Sequence, residues 1–571
     1  MSQPHLRVPA RPASTLILLR DGEAGIEVFM LQRTSTAKFA AGAFVFPGGQ
    51  VDQADQSEVW AERCLGLTRA DGQPHPGLQE NGLPYLVAAV RECFEEAGLL
   101  MGFEAEAEQD GLIGLHEPGQ AELYAQLRAD LIAGNLDFDT LCRQRNLRLA
   151  TDRIAYLSRW ITPVGQPKRF DTRFYMSAVP PDQTGTHDNV ETTQAIWVRP
   201  ADALERFDRG EIDLFVPTRV CLRLVMEFDK AEDAIAHAHG LNTIPFFQPR
   251  RALTRAGFSV FNHTAPQFAE IRKVDPEERC LAWGEIVPGM LITLSPTVQR
   301  VTAPNPGMMT GPGTNTYLIG QGGRLAVIDP GPADPVHVAA ILEHVGERQV
   351  DAVLVTHTHR DHSPACVELA AALEARQGRA PRIIGIAAPA EQDETFKPTH
   401  VPAHGESLDL AGLRLRVYHT PGHASNHLCY LHESEHMLFT GDHIMQGSTV
   451  IINPPDGDMS AYLESLHALE DEAGREKMAW LAPAHGFLIE QPVRAIKRLI
   501  AHRLARESKV LDALEMMPGA SPPELLKVVY DDVPASRNGP ASRSLLAHLE
   551  KLKRDGRAVE TDAGWLRVIN N

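Results

Sequence analysis

A short apolar strand followed at once by imidazole and carboxylate side chains is the feature that most constrains this chain. Residues 353–356, VLVT, lead into His357, His359, Asp361 and His362. A strand end fixes the backbone, while the loop that follows allows the four side chains to converge. Mixed imidazole and carboxylate ligands suit Zn²⁺, with Mn²⁺ and Fe²⁺ as alternatives. The pattern predicts a metal site at the end of this strand.

Three further residues of ligand type follow strand-like segments later in the chain. They are His423 in TPGHASNH, Asp442 in FTGDH and His485 in PAHG. The chain has 24 histidines, so most of them are expected to have no such role. We predict simple solvation or hydrogen bonding for His400, His404, His419, His427, His432, His436 and His443.

The bulk composition limits the class of partner and the compartment. A formal net charge of -19 argues against a general nucleic-acid binder, although it leaves room for a local basic patch. Seven cysteines without a CxxC pair predict a reducing compartment. We find neither a secretory signal nor an apolar run of about 18 residues. We therefore predict a cytoplasmic protein that acts away from membranes, with the oligomeric state left open.

The 571 residues are too many for one core. Strand-like and helical segments alternate in both halves, and long amphipathic helices with a possible β-wing occupy the end of the chain. Residues 241–284 lack a clear period and contain several prolines, so we predict a linker there. The predicted domains are residues 1–240, 285–490 and 491–571.

A second candidate site lies on a helix in the first half, in the segment RECFEEAGL of residues 91–99. Glu92, Glu95 and Glu96 are spaced i, i+3 and i+4, so they share one face of the helix. Three like charges on one face repel each other unless a cation lies among them, and carboxylate oxygens suit Mg²⁺ or Mn²⁺. A solvated acidic face is the alternative for this pattern when it is taken alone.

The second half resembles the metallo-β-lactamase superfamily, through Asp329 in VIDPG and the seven ligand-type residues above. The resemblance implies an αβ/βα sandwich with two zinc ions. One ion would lie among His357, His359 and His423, and the other among Asp361, His362 and His485. Asp442 would bridge the ions, and Asp329 would orient the ligand loop without binding metal. The ions would generate hydroxide from water, with Asp361 orienting it and accepting its proton.

Within that superfamily, the chain is similar to the lactamase-β-like-2 branch in GPGTNTYLIG (311–320), THTHRDHSP (356–364) and AHRLARES (501–508). That branch implies a small winged-helix-like C-terminal domain, and some of its members cleave single-stranded RNA. Residues 490–571 hold 14 Lys and Arg against 11 Asp and Glu, so the tail is mildly basic. Solvated helix faces explain this charge at least as well as an RNA surface does.

The first half resembles Nudix hydrolases, through FPGG at 46–49 and the segment of residues 91–99. Asp55 stands where the first glutamate of the motif is expected, and an insertion at 56–84 splits the motif. This split form is similar to a branch that includes peroxisomal coenzyme A diphosphatases. The resemblance implies an α/β/α fold in which Glu92, Glu95 and Glu96 bind Mg²⁺ or Mn²⁺. One of these glutamates, or Glu191, would activate water.

We therefore expect an α/β multidomain hydrolase with two metal-dependent sites and the catalytic residues Asp361, Glu95 and Glu96. The C-terminal half is expected to cleave an ester, a thioester or a phosphodiester. The Nudix half is expected to cleave a nucleoside-diphosphate-linked compound such as coenzyme A. The alternative is an endoribonuclease whose Nudix domain only binds a ligand.

Overall fold

The computed structural model describes residues 8–35, 41–69, 72–104, 112–115, 118–180, 182–188 and 190–568. Their contacts divide the chain into two units, with the boundary after Pro249. The two units are described separately below.

The first unit is built on a mixed eight-stranded sheet of order β10-β7-β8-β1-β2-β3, in which β4 also pairs with β1 and β9 with β2. Its strands are β1 Arg11–Gly22, β2 Gly25–Arg33, β3 Phe44–Val45, β4 Gly48–Gln50, β7 Ala155–Ile161, β8 Phe170–Ala178, β9 Thr192–Val198 and β10 Phe246–Phe247. A small separate sheet pairs β5 Gly102–Glu104 with β6 Leu147–Leu149.

Helices cover both faces of the larger sheet. They are α1 Trp60–Arg63, α2 Leu83–Ala97, α3 Pro118–Ile132, α4 Phe138–Gln144, α5 Pro200–Asp208, α6 Val216–Val225 and α7 Ala231–His239. Alternate residues of β1 point to opposite faces, so Leu16 and Leu18 join one buried cluster and Ile17 and Leu19 join the other. Helix α2 lies in the first cluster, and α5, α6 and α7 lie in the second. This is the predicted α/β/α arrangement.

The second unit contains two six-stranded sheets that pack face to face. The first comprises β13 Leu291–Ser295, β14 Val298–Thr302, β15 Asn315–Ile319, β16 Arg324–Ile328, β17 Gln349–Leu354 and β18 Arg382–Ile384. The second comprises β19 Ser407–Leu410, β20 Leu413–His419, β21 Leu428–His432, β22 Met437–Gly441, β23 Trp480–Pro483 and β24 Ile489–Glu490. Tyr317 and Leu354 of one sheet meet Tyr430 and Phe439 of the other in a shared core.

Helices α9 Pro335–Val345 and α10 Ala365–Gln377 pack on the outer face of the first sheet. Helix α11 Met459–Arg475 and the start of α12 Pro492–Met516 pack on the second sheet. The layers therefore follow the predicted αβ/βα order, with strand ends free to carry a site.

Residues 241–284, which we predicted as a linker, carry regular structure. Besides β10, they form β11 Arg250–Thr254, β12 Gly257–Phe261 and α8 Phe268–Val274. Glu270 of α8 accepts two hydrogen bonds, of 2.7 and 2.8 Å, from the buried Arg300 of β14. The elements have two to seven residues, too few for a period to emerge from the sequence.

The C-terminal helices α12, α13 Pro522–Val529 and α14 Asn538–Arg554 are followed by the hairpin of β25 Ala558–Thr561 and β26 Gly564–Arg567. They enclose a core of their own that includes Leu514, Leu549 and Trp565. Three helices and a two-stranded wing match the predicted winged-helix-like domain. No helix of the described ranges is long and apolar enough to cross a membrane.

Candidate active sites

Neighbouring strand ends of the second unit carry the predicted metal ligands. The residues after β17 bring His357, His359, Asp361 and His362, and β22 ends directly before Asp442. His423 follows β20, and His485 follows β23. The ligand atoms of these seven residues form two tight groups, each with all of its atoms within 4.8 Å of one another.

The first group consists of His357, His359 and His423. The Nδ1 atom of His359 lies 2.9 Å from Nε2 of His357 and 3.0 Å from Nε2 of His423. Burial, together with the neighbouring imidazoles, lowers the pKa of all three, in the case of His359 to about 4. The rings are therefore neutral near pH 7 and offer lone pairs to a metal ion.

The second group consists of Asp361, His362, Asp442 and His485. The Nε2 atom of His485 lies 3.3 Å from Asp361 Oδ2 and 3.2 Å from Asp442 Oδ1. Burial disfavours the charged imidazole, but the carboxylates of Asp442 and Asp361 outweigh this and raise the pKa of His485 to about 10. The buried carboxylate of Asp442 and the partly buried carboxylate of Asp361 thus favour positive charge beside them, which a divalent cation would supply.

The donor set fits a metal ion. Asp442 Oδ1 is buried and lies 3.6 Å from His362 Nε2 and 3.2 Å from His485 Nε2, yet none of these three atoms makes a hydrogen bond of good geometry to a described residue. Asp442 also lies between the groups, because its Oδ2 is 3.7 Å from His423 Nε2. Buried polar atoms without hydrogen bonds are costly, and coordination would satisfy all three.

The far ring nitrogens of the ligands are held by hydrogen bonds. Asp329 Oδ2 lies 3.0 Å from His362 Nδ1, and the Asp329 carboxylate also accepts bonds from the N–H and hydroxyl of Thr356. The backbone carbonyl of Ile451 is 2.8 Å from His423 Nδ1. These contacts fix the rings so that each Nε2 points into the site. Asp329 itself belongs to neither ligand group.

Asn315 of β15 supports the loop of His485 and was not singled out by the sequence. Its amide nitrogen donates to the carbonyls of Pro483 and Gly486 at 3.0 and 2.8 Å, and its Oδ1 accepts from Thr302. The available signal was an amide side chain in the strand β15, all of whose residues are buried. A polar side chain in such a strand needs hydrogen-bond partners.

One histidine that we predicted to be solvated or hydrogen-bonded is neither. His443 is fully buried, and its two ring nitrogens lack hydrogen-bond partners among the described residues. It packs between the rings of His427 and Tyr462, with centroids 5.5 and 4.7 Å away. Its place directly after Asp442 carries it into the core. His427 is also buried, but its Nδ1 is 2.9 Å from the Thr420 hydroxyl.

In the first unit, helix α2 presents the three predicted glutamates toward β4. The Glu96 carboxylate accepts a 2.9 Å bond from the N–H of Gly48. The Glu92 carboxylate lies so close to Gly49 that a Cβ there would be 2.4 Å from its Oε1. Burial is the largest cause that raises the pKa of Glu92, to about 8, and it also raises that of Glu96 well above its usual range. The cluster therefore favours added positive charge.

Arg91 is the cation that the structure places among these carboxylates. Its guanidinium donates to Glu92 at 2.9 Å, to Glu95 at 3.0 Å and, with two nitrogens, to the buried Asp55 at 3.0 and 2.9 Å. Asp55 thus anchors Arg91. Within the described ranges, the ligand atoms of Glu92, Glu95 and Glu96 do not all lie within 4.8 Å of one another, unlike those of the two groups in the second unit. Arg91 holds Glu92 and Glu95.

Glu191 pairs with Arg33 at 3.1 Å and keeps 59% of its side chain exposed. Its negative charge contributes to the raised pKa of Glu96, which places it within electrostatic reach of the α2 carboxylates. Arg128 of α3, which no sequence pattern singled out, donates to the carbonyls of Glu95 and Glu96 at 2.9 and 2.8 Å.

Comparisons with known proteins match separate parts of the chain to separate domain families. A family model described as the metallo-beta-lactamase superfamily matches residues 309–485. The NUDT19 Nudix domain model matches residues 10–222, and the beta-lactamase associated winged helix domain matches residues 521–565.

Among curated proteins, the chain is 32% identical over 272 residues to the beta-lactamase-like protein 2 homolog of Drosophila melanogaster, covering 46% of this chain and 90% of that protein. It is 32% identical over 224 residues to an atrochrysone carboxyl ACP thioesterase of Aspergillus chevalieri, covering 39% of this chain and 67% of that protein. A solved Nudix hydrolase from Alicyclobacillus acidocaldarius matches with 27% identity and a TM-score of 0.35, over 42% of this chain and 98% of that one.

Fold and site together define a multidomain α/β hydrolase with candidate metal-binding clusters in its second unit. The chain belongs to the metallo-β-lactamase superfamily, and it combines that domain with an N-terminal Nudix domain of the NUDT19 type and a winged-helix domain.

Proposed function

We propose that the chain is two metal-dependent hydrolases in one: a thioesterase in the C-terminal half and a diphosphatase in the Nudix half. The observation that carries the proposal is the convergence of seven ligand-type side chains into two groups, the second of which contains three buried ligand atoms that make no hydrogen bond to a described residue. The limits 285–490 and 491–571 remain proposals, whereas the first boundary falls after Pro249 and not at residue 240. Seven unpaired, buried cysteines support a reducing compartment such as the cytoplasm.

We assign zinc to the C-terminal site, with Mn²⁺ or Fe²⁺ as alternatives. His357, His359 and His423 would hold one ion, Asp361, His362 and His485 the other, and Asp442 would contact both. Ions bound there lower the pKa of water and act as Lewis acids toward a carbonyl.

Asp361 is assigned as the proton acceptor of the hydrolysis. Its side chain is 26% exposed, against 11% for Asp442, so it is the carboxylate that water can reach. Burial alone would raise its pKa, but His362 and His485 hold that pKa well below the usual range. Asp361 would take a proton from water as the water oxygen bonds to the carbonyl carbon, and would pass that proton to the sulfur that leaves when the carbon–sulfur bond breaks, so that the products are a carboxylic acid and a thiol.

The acyl-thioester class is supported from two sides. A relative of the C-terminal half is named as an acyl-carrier-protein thioesterase. The Nudix half resembles coenzyme A diphosphatases, and coenzyme A carries both a thioester-forming thiol and a diphosphate. An acyl-CoA therefore offers one bond to each domain.

In the Nudix half, Glu92, Glu95 and Glu96 are assigned to Mg²⁺ or Mn²⁺, with Glu95 and Glu96 taking part in catalysis. Glu95 keeps 24% of its side chain exposed, against 14% for Glu92. It is therefore the group that we expect to contact the attacking water. Binding of the ion requires that Arg91 release Glu92 and Glu95 in part.

The charge of the tail bears on the alternative RNA substrate. Eight of its fourteen Lys and Arg lie within ion-pair distance of carboxylates. The pairs are Lys497–Glu470, Arg506–Asp532, Lys509–Asp531, Lys551–Glu507, Lys553–Glu560, Arg554–Asp458, Arg557–Glu507 and Arg567–Glu515. Paired cations release few counterions on binding a phosphate backbone, so a small substrate is favoured.

The test is a substrate panel of acyl-CoAs, CoA and a short single-stranded RNA, each with Zn²⁺, Mn²⁺ or Mg²⁺. Asp361→Ala should abolish thiol release and leave diphosphate cleavage intact. Glu95→Gln should do the reverse. Matched controls are Asp409→Ala on an exposed position of β19 and Glu205→Gln on the exposed face of α5.

RNA cleavage that is lost with Asp361→Ala, while all CoA compounds stay intact, would replace the thioesterase by a nuclease. Diphosphate cleavage that is unchanged in Glu95→Gln would make the Nudix domain a binding module.

A further inference from the structure

We propose that Arg503 of α12 is a positioning residue for the metal centre, through which the C-terminal helix braces His423 and Asp442. Arg503 is only 3% exposed, although it carries a charge. Its Nη2 donates to the backbone carbonyl of Val450, and its Nε has no hydrogen-bond partner among the described residues. A buried guanidinium bound to a backbone carbonyl, rather than to a carboxylate, is a costly way to gain stability alone.

The first connection runs through the backbone of residues 450–451. Val450 receives the Arg503 bond, and the next residue, Ile451, accepts the 2.8 Å bond from His423 Nδ1. Residues 449–453 lie in neither a helix nor a strand. Side-chain bonds such as these two therefore take the place of sheet or helix bonds in fixing this backbone. Displacing Val450 would rotate the acceptor that orients His423.

The second connection runs through Tyr462 of α11. The Arg503 guanidinium lies 5.4 Å from the centre of the Tyr462 ring, within the range of cation–π attraction. The Tyr462 hydroxyl donates a 2.9 Å bond to the carbonyl of His443, the residue after Asp442. On its other side, Tyr462 packs against Gly422, where an added Cβ would lie 2.3 Å from Tyr462 Cα. Gly422 directly precedes His423.

Arg503 of α12 thus contacts two segments next to candidate ligands. Residues 450–451 orient His423, and Tyr462 contacts the residues that adjoin His423 and Asp442. This accounts for an arginine at position 503 in the AHRLARES segment, which the hydrolysis itself does not use. The inference rests on the proposed assignment of His423 and Asp442 as metal ligands.

The experiment compares Arg503→Met, Arg503→Lys and Arg506→Met in the full-length protein. Arg506 is the matched control, because it lies on the same helix and is also buried, but bonds to Val529 and Asp532 within the tail. Zinc affinity is measured by competition with a chromophoric chelator. Hydrogen exchange of residues 444–456 is followed in the metal-free protein.

Arg503→Met should weaken zinc binding by roughly 10–100-fold, the usual effect of losing a residue that orients a ligand. It should also speed hydrogen exchange in residues 444–456. Arg503→Lys, which keeps the charge and one donor, should recover part of the affinity, and it keeps the test open if the methionine variant does not fold. Arg506→Met should change affinity less than about twofold while speeding exchange in residues 522–532.

Wild-type zinc affinity in a folded Arg503 variant, with unchanged exchange in residues 444–456, would overturn the inference. A His423→Gln variant separates failure of the Arg503 role from failure of the proposed ligand set. If His423→Gln loses zinc while Arg503→Met does not, only the positioning role of Arg503 is wrong. If it binds zinc normally, the proposed ligand set is wrong, and the inference fails with it.

Discussion

Side chains of the candidate metal centre are oriented by residues that are not themselves candidate ligands. Asp329 holds the far nitrogen of His362 and the backbone of Thr356, and it adopts a left-handed φ of 50°. An aspartate tolerates this conformation because its short polar side chain bonds locally. The residue therefore combines a strained backbone with three hydrogen bonds, which suits an orienting role.

We expect Asp329→Asn to weaken zinc binding by roughly 10–100-fold, because an amide cannot accept on both of its atoms. Chelator competition measures the change. Asp409→Asn, at an exposed position of β19, should leave the affinity as in the wild type. An unchanged affinity in Asp329→Asn would show that the ligand loop orients itself.

His337 gives a pH dependence that does not involve the ligands. Burial is the main cause that lowers its pKa from 6.5 to about 4, and its Nε2 is 2.8 Å from the Thr316 hydroxyl. Between pH 4 and 6.5 the unfolded chain binds this proton and the folded protein does not. Stability should therefore rise with pH over that range, by about 3 kcal/mol at most from this group.

Urea unfolding of the second unit at pH 4.5 and pH 7, in the wild type and in His337→Gln, would measure what His337 contributes to the pH dependence of the free energy of unfolding. In His337→Gln the difference between the two pH values should shrink, because glutamine does not titrate. An equal pH dependence in both proteins would assign the effect to other groups.

At the scale of elements, the last turn of α2, which carries Glu95 and Glu96, is held by Gly98 and Arg128. Gly98 ends the helix with a left-handed φ of 67°. Arg128 of α3 adds a cation at the C-terminus, where helix carbonyls lack partners. Helix α3 thus contributes directly to the placement of Glu95 and Glu96.

Replacing Arg128 with Met should therefore loosen the end of α2, at a cost of about 1–3 kcal/mol for the lost charged hydrogen bonds. Hydrogen exchange of residues 93–98 should speed up, and the Mg²⁺ concentration for half-maximal diphosphatase activity should rise. Gln126→Met, on the same helix, is the control. The role of Arg128 is refuted if its variant exchanges no faster than this control.

At the scale of the whole molecule, each unit has its own buried clusters and its own candidate site. Ligands that bind one folded unit should stabilise that unit alone.

Zinc at a hundred times its dissociation constant should raise the free energy of unfolding of the second unit by about 2.7 kcal/mol and leave the first unit unchanged. Calorimetry with and without a chelator would show this as a shift of one transition. Asp442→Ala should remove the shift. Equal shifts of both transitions would mean that the units unfold together.

The sequence by itself indicated which positions carry ligand-type and acidic side chains. The run from His357 to His362 after an apolar strand and the i, i+3, i+4 glutamates are local patterns. Local periodicity and ligand chemistry are encoded within a few residues, so strand ends and helix faces could be predicted. The resemblance of these motifs to known families supplied the sheet layers and the order of the domains.

Only the tertiary structure decided which polar partner each buried group has. Arg91 meets Asp55 across 36 residues, Asn315 meets Pro483 across 168, and Arg503 meets Val450 across 53. The burial of His443 was decided in the same way. Such pairs depend on where distant segments cross. The cost of an unpaired buried group enforces each pairing once the fold is formed, but it leaves no period in the sequence.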